Sequence, residues 1–154
     1  NDRQRVLRAL EVFEITGEPL SSHWKRQQTR PLYDPLQVAP RRDRQDLYAR
    51  IDARVDRIFE DGLVTEVERI LESGVPADAH ALKAIGYREV LAMLRGEWDL
   101  ETAIESTKRA SRHFAKRQLT WLRNMEGSLH WVPPVEQGGA KRVMDLWKQH
   151  IQER

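Results

Sequence analysis

The chain has 154 residues, no cysteine, 40% apolar and 32% charged residues, and 26 Lys+Arg against 24 Asp+Glu, a net charge of +2. That is enough apolar chain for one core and too much for wholesale disorder, and the lack of cysteine excludes disulfide scaffolds, thiolate zinc sites and a cysteine nucleophile. No apolar run approaches the roughly 20 residues that span a bilayer and no leader-like segment opens the chain, so a soluble cytoplasmic protein is expected; with Asn1 in place of Met it reads as a processed product or an excerpt.

In chain order, Asn1–Thr16 predicts a helix, because Val6, Ala9, Leu10 and Phe13 recur at helical spacing and Gly17-Glu18-Pro19 stops it. Residues 18–35 hold Pro19, Pro31 and Pro35 without a period and read as a loop. Leu36–Ala39, ending at Pro40, suits one buried strand. Arg42 to about Phe59 is amphipathic, with Leu47, Ile51, Val55 and Ile58 in step. Gly62 interrupts it, and Leu63–Leu71 continues to Ser73-Gly74.

A further helical pattern runs over about Ala79–Leu94, broken only at Gly86, and Gly96 separates it from a long helix over about Leu100–Arg123. Residues 129–134 suit a short strand and turn. Gln137–Gly139 reads as a flexible connection before a last helix, Ala140–Gln152. The chain is therefore mainly α, with about five helices and one or two short strands. Isolated strands cannot satisfy their own backbone groups. Either the two pair with each other or they join a sheet from residues outside the chain, and the second is favoured.

Charge is unevenly placed. Residues 1–50 carry 10 basic and 7 acidic groups, residues 51–106 carry 6 and 13, and residues 107–124 carry 6 basic groups and no acid. The basic residues are 20 Arg to 6 Lys, which suits phosphate recognition but also follows from codon bias in a GC-rich genome. On a helical wheel Lys108, Arg109, Arg112, Lys116 and Arg123 fall within an arc of about 100°. Ala103, Ile104, Ala110, Phe114, Trp121 and Leu122 occupy the other side. Such a face either meets a polyanion or is a solvated face that pairs with the acidic 51–106 stretch.

Ser111 and Gln118, toward the apolar side, read as satisfied core groups or ligand contacts. Ala84–Arg88 places Gly86 inside a helical pattern and a cation beside Tyr87, which suits a phosphate, a splayed base or an ordinary helix start. The five His show no metal-ligand spacing and no metal site is assigned. Core packing is the expectation for most of the five Trp.

In this order, Asn1–Val12 with Thr16-Gly17, Arg54–Asp56 with Gly62-Leu63 and Glu66-Val67, Ala84–Glu89, and Lys116-Arg117-Gln118-Leu119-Thr120-Trp121-Leu122-Arg123 resemble the C-terminal half of bacterial tRNA dimethylallyltransferases, over about residues 1–132. The resemblance implies transfer of a dimethylallyl group from its diphosphate to the exocyclic amine of the adenosine 3′ of the tRNA anticodon. It implies contacts to the tRNA anticodon stem-loop from Gln4, Arg5, Val6, Leu7 and Arg8, from Lys83, Ala84, Ile85, Gly86, Tyr87 and Arg88, and from Lys116–Arg123. Arg88 is the candidate for diphosphate or flipped-base contact, and Lys108, Arg109 and Arg112 are candidate phosphate contacts.

The family's phosphate-binding loop, catalytic Asp and Mg²⁺ belong to its N-terminal half, and this chain has no G-x-x-x-x-G-K-[ST] run. The expectation is thus a monomeric fragment, inactive alone and binding no cofactor itself. Its residues 1–135 would form the family portion, whose strands join a parallel sheet of the absent half, and residues 136–154 a linker and helix. The competing readings are a stand-alone helical RNA-binding module and a helical interaction protein.

Overall fold

The computed structural model of the protein describes residues 2–26, 33, 35–125 and 129–152. The chain divides into two compact units, Asn1–Pro35 and Leu36–Arg154. In the first, α1 spans Arg3–Thr16 and α2 spans Leu20–Arg26. The Asp2 carboxylate caps α1 by accepting from the Gln4 and Arg5 N–H groups, and the Gly17 N–H closes it on the Phe13 carbonyl. The expectation of a loop from residue 18 fails at α2. Proline is suited to a helix entry as well as to a loop, and Pro19 stands at the start of α2, where its carbonyl accepts the Ser22 N–H. Most of the remaining predicted loop, residues 27–32 and 34, lies outside the described residues.

The second unit contains β1 (Gln37–Pro40), α3 (Arg44–Glu60), α4 (Leu63–Glu72), α5 (Tyr87–Leu94), α6 (Leu100–Arg123), β2 (Leu129–Val132) and α7 (Gly139–Gln152). The fold is mainly α with two short strands, as the sequence indicates, although the described residues form seven α-helices rather than about five. The two strands pair with each other in parallel, Gln37 opposite Leu129 and Pro40 opposite Val132. Helices α3 to α6 lie between them in sequence, in keeping with the long crossover that parallel strands require.

Two expected elements are reshaped. The pattern over Ala79–Leu94 is a 3₁₀ turn at His80–Lys83 followed by α5, because Gly86 sits at φ 98°, ψ −58°, a conformation that no helix contains. The connection at Gln137–Gly139 is not free. Val135–Gln137 is a 3₁₀ turn, and Gly139 is buried at the start of α7, where an added Cβ would lie 2.1 Å from the Pro133 carbonyl oxygen.

Leu63, Val67, Leu82, Val90 and Leu91 form the main core cluster, and α6 packs on α3 and α5. The buried core is aliphatic throughout, so the expectation that most tryptophans pack inside fails: Trp24, Trp98, Trp121 and Trp147 are exposed and Trp131 is half-buried. No helix among the described residues is long and apolar enough to cross a membrane.

Candidate functional site

Helix α6 starts at Asp99, which accepts the Thr102 N–H at 2.7 Å, and runs 24 residues without a Gly or Pro. Hydrogen bonds from Thr102 hold the Asp99 carboxyl below the usual carboxylate range. At 1.5 Å per residue such a helix is about 36 Å long, and its two halves meet different surroundings.

In the first half, Ala103, Ser106 and Thr107 are buried, and the basic face turns toward α3. Lys108 pairs with Asp56 at 2.8 Å and with Glu105 at 3.0 Å, and Arg112 pairs with Asp52 at 2.6 Å. A four-residue step up α3 thus matches a four-residue step down α6, the register of antiparallel helices. Asp56 and Glu105 raise the Lys108 pKa above that of a free ammonium. For these two cations the pairing with the acidic stretch holds.

The second half differs. Lys116 and Arg123 have no carboxylate partner among the described residues, and Arg117 lies over the Phe114 ring at 5.6 Å. Ala115, Leu119 and Leu122 take the half-buried side, which leaves Phe114 and Trp121 at 47% and 65% exposure. Of the expected apolar side, Ala103, Ile104, Ala110 and Leu122 are buried or half-buried and Phe114 and Trp121 are not, because a single wheel assumes one packing surface along the whole helix. Gln118 is exposed, so it is no core group, whereas Ser111 is half-buried.

Lys116, Leu119, Thr120 and Arg123 line a cleft of about 520 Å³ whose other wall is the Arg41–Arg44 turn with Tyr48 and Trp131. The sequence reading gave no role to that wall. A local signal existed in Arg41-Arg42-Asp43-Arg44, but the wall exists only because β1 and β2 pair. The Arg41 N–H donates to the Val132 carbonyl at 2.8 Å. Arg42 is held by Asp46 at 3.0 Å and by Glu136, and Arg50 by Asp46 at 3.0 Å and Glu136 at 3.1 Å. Hydrogen bonds from Arg50 and Arg42 hold the Asp46 carboxyl below the usual range, and bonds from its own backbone N–H and from Arg42 do the same for Glu136.

The Ala84–Arg88 segment is built separately. Lys83 and Ala84 are exposed, Gly86 is buried, and Tyr87 is half-buried with its hydroxyl donating to Glu66 at 2.6 Å. That bond raises the Tyr87 pKa. Glu89 is 2% exposed and accepts the Gly86 N–H at 2.7 Å and the Arg88 Nε–H at 2.6 Å. Arg88 is thereby tethered at Nε, with half of its side chain exposed and both terminal nitrogens without a partner among the described residues. Sequence reasoning missed the role of Glu89. The available signal was an acid three residues after a helix-starting Gly.

Gln4, Arg5, Val6, Leu7 and Arg8 are all exposed on α1, with Arg5 paired to Asp2 and Arg8 to Glu11, each at 3.2 Å. They belong to the first unit and the other candidates to the second. Arg88 does not line the cleft between α6 and the Arg41–Arg44 segment. Among the described residues no three His, Asp or Glu side chains converge as metal ligands.

Residues 1–125 match the family model described as IPP transferase. The chain is 51% identical over 133 residues to tRNA dimethylallyltransferase 1 of Trichlorobacter lovleyi, covering 86% of this chain and 43% of that protein. It is 47% identical over 124 residues to the tRNA dimethylallyltransferase of Carboxydothermus hydrogenoformans, covering 80% and 40%. Among solved structures, the tRNA delta(2)-isopentenylpyrophosphate transferase of Staphylococcus epidermidis aligns with TM-score 0.70 at 38% identity, over 99% of this chain and 49% of that one. The chain spans under half the length of these relatives.

Proposed function

The chain belongs to the IPP transferase family, and we propose that it forms the largely helical, RNA-contacting part of a tRNA dimethylallyltransferase. In the reaction proposed for the whole enzyme, the exocyclic amine nitrogen of the adenosine 3′ of the anticodon attacks the diphosphate-bearing carbon of dimethylallyl diphosphate. The N–C bond forms as the C–O bond breaks, diphosphate departs with the electron pair, and the surplus amine proton passes to a base. The adenosine must leave its stack to be reached, and the leaving group needs fixed cations.

Arg88 suits the second task. Its Nε–H is committed to buried Glu89, so the terminal guanidinium nitrogens are held in place for diphosphate oxygens or for the flipped base. Lys116–Arg123, Gln4–Arg8 and Lys83–Tyr87 contact the tRNA. Of the three further phosphate candidates, Arg109 keeps that role, because Lys108 and Arg112 already hold carboxylates. The observation that carries the reading is the set of cations at Lys116 and Arg123 left without acids beside exposed Trp121. The Mg²⁺ that the family resemblance implies is assigned to the part of the enzyme outside this chain.

As a cytoplasmic monomer, the chain alone binds the tRNA anticodon stem-loop and transfers no dimethylallyl group. A transfer assay on the 154 residues checks the second statement, and measurable turnover refutes it. In a full-length enzyme carrying this segment, Arg88→Ala lowers the transfer rate by more than it weakens tRNA binding. Equal losses would make Arg88 a plain phosphate anchor. Tight RNA binding by the full-length protein with no transfer at all would instead favour a helical RNA-binding module that acts without catalysis.

A further inference from the structure

We propose that the cleft between the β1–α3 turn and the C-terminal half of α6 is a phosphodiester-binding groove for an RNA strand, with Arg41 and Arg44 forming a second cationic wall opposite Lys116 and Arg123. The residues of that wall lie outside every motif that carries the family resemblance. The proposal rests on the reading that α6 contacts RNA, and it extends the contact surface to a different stretch of chain.

Three observations carry it. First, the cations of this region divide sharply. Arg42, Arg50, Lys108 and Arg112 each hold a carboxylate, whereas Arg41, Arg44, Lys116 and Arg123 hold none among the described residues. All four unpaired cations line one cleft of about 520 Å³. The one acid there, Asp43, is engaged as the N-cap of α3, accepting the Gln45 N–H at 2.7 Å. Four like charges gathered without counter-charges repel each other, and a polyanion relieves that repulsion.

Second, the cleft has aromatic surface between its cations. Trp131 and Tyr48 line it, and the Arg44 guanidinium lies over the Tyr48 ring at 5.1 Å. A ring-stacked guanidinium keeps its charge and its in-plane donors, which suits a phosphate or a stacked base. The cleft also opens near the ends of both parallel strands, with Arg41 directly after β1 and Trp131 the penultimate residue of β2, opposite Ala39. Ligands of parallel sheets bind outside the carboxyl ends of their strands.

Third, the surface is longer than a single anion needs. A neighbouring depression on α6, lined by Arg117 and Trp121 among others, shares Lys116 and Thr120 with the cleft. The two depressions therefore meet across α6, and an extended strand can occupy both. The Arg42–Asp46–Arg50–Glu136 network fixes the turn that carries Arg41 and Arg44, so the second wall is preorganised.

The test is fluorescence anisotropy of a labelled anticodon stem-loop with the whole 154-residue chain over a salt series. Arg41→Ala/Arg44→Ala is compared with Arg41→Lys/Arg44→Lys, with folding checked by circular dichroism. The alanine pair is expected to lower the slope of log K against log salt by about 1.4 to 1.8, at 0.7 to 0.9 per phosphate contact, and the lysine pair to keep most of it. A normal slope in the alanine pair, while Lys116→Ala/Arg123→Ala lowers it, would overturn this proposal and leave the α6 reading standing. Absence of salt-dependent binding by the parent chain would overturn both. Binding of inorganic diphosphate that the alanine pair abolishes, with RNA binding unmoved, would give the cleft to a small anion and overturn the proposal.

Discussion

Replacing Glu89 by Ala removes a carboxylate that is 3% exposed and accepts two hydrogen bonds at the entry to α5. The Gly86 N–H loses its acceptor in a buried site, which costs about 1.5–3 kcal/mol for a bond to a charged group. The Arg88 bond adds less, since that side chain is half exposed and solvent screens it, so about 0.5–1 kcal/mol is appropriate. The sum is about 2–4 kcal/mol. At roughly 2–4 °C per kcal/mol for a chain of this length, thermal unfolding followed by circular dichroism should fall by about 4–16 °C. Glu89→Gln keeps an acceptor for the Gly86 N–H but turns its amide donors toward Arg88, so its loss should lie between that of Ala and the parent. A shift under about 2 °C for Glu89→Ala, or a larger loss for Gln than for Ala, would refute the assignment of Glu89 as the anchor of this turn.

Two further outcomes follow from the same packing. Gly139→Ala places a Cβ 2.1 Å from the Pro133 carbonyl oxygen, with backbone and not a flexible side chain in the way. It should therefore destabilise by about 1–3 kcal/mol or more, read as a lower urea midpoint at unchanged slope. The Asp46 carboxyl is held below its ordinary value by bonds from Arg50 and Arg42, and the Glu136 carboxyl by its own backbone N–H and then by Arg42. Their contribution is present above the unfolded carboxylate pKa and is lost as pH falls through the lowered folded values. Unfolding temperatures should accordingly drop faster between pH 5 and pH 3 in the parent than in Glu136→Gln, and parallel curves would contradict the network.

Much of the fold was legible because its signals are local. The extent of α6 follows from the Gly96 break before it and a 24-residue run without Gly or Pro, and α1 follows from its Gly17 stop. Helix α2 was hidden because a proline at a helix entry looks the same in sequence as one in a loop. The burial of Gly139 was hidden because its neighbours, Pro133 and Pro134, come close only when the chain folds back after β2.

The same division separates the site residues. The acid-free count over residues 107–124 is true along the chain but not in space, since Asp52 and Asp56 reach Arg112 and Lys108 from α3. Lys116 and Arg123 keep the character the sequence suggested. Arg41 and Arg44 gain theirs only through the pairing of β1 with β2, which brings Gln37 beside Leu129. No local pattern encodes a strand pair so distant in sequence.

The central claim is that the unpaired cations of the second half of α6, and not its paired ones, carry RNA binding. Its most direct test is the salt slope of anticodon stem-loop binding for Lys116→Ala/Arg123→Ala set against Lys108→Ala/Arg112→Ala, measured below the unfolding temperature of both. The first pair should lose about 1.4 to 1.8 from the slope, and the second, whose charges are already neutralised by Asp56 and Asp52, should change it little. Equal losses, or a larger loss in the Lys108 and Arg112 pair, would contradict the account.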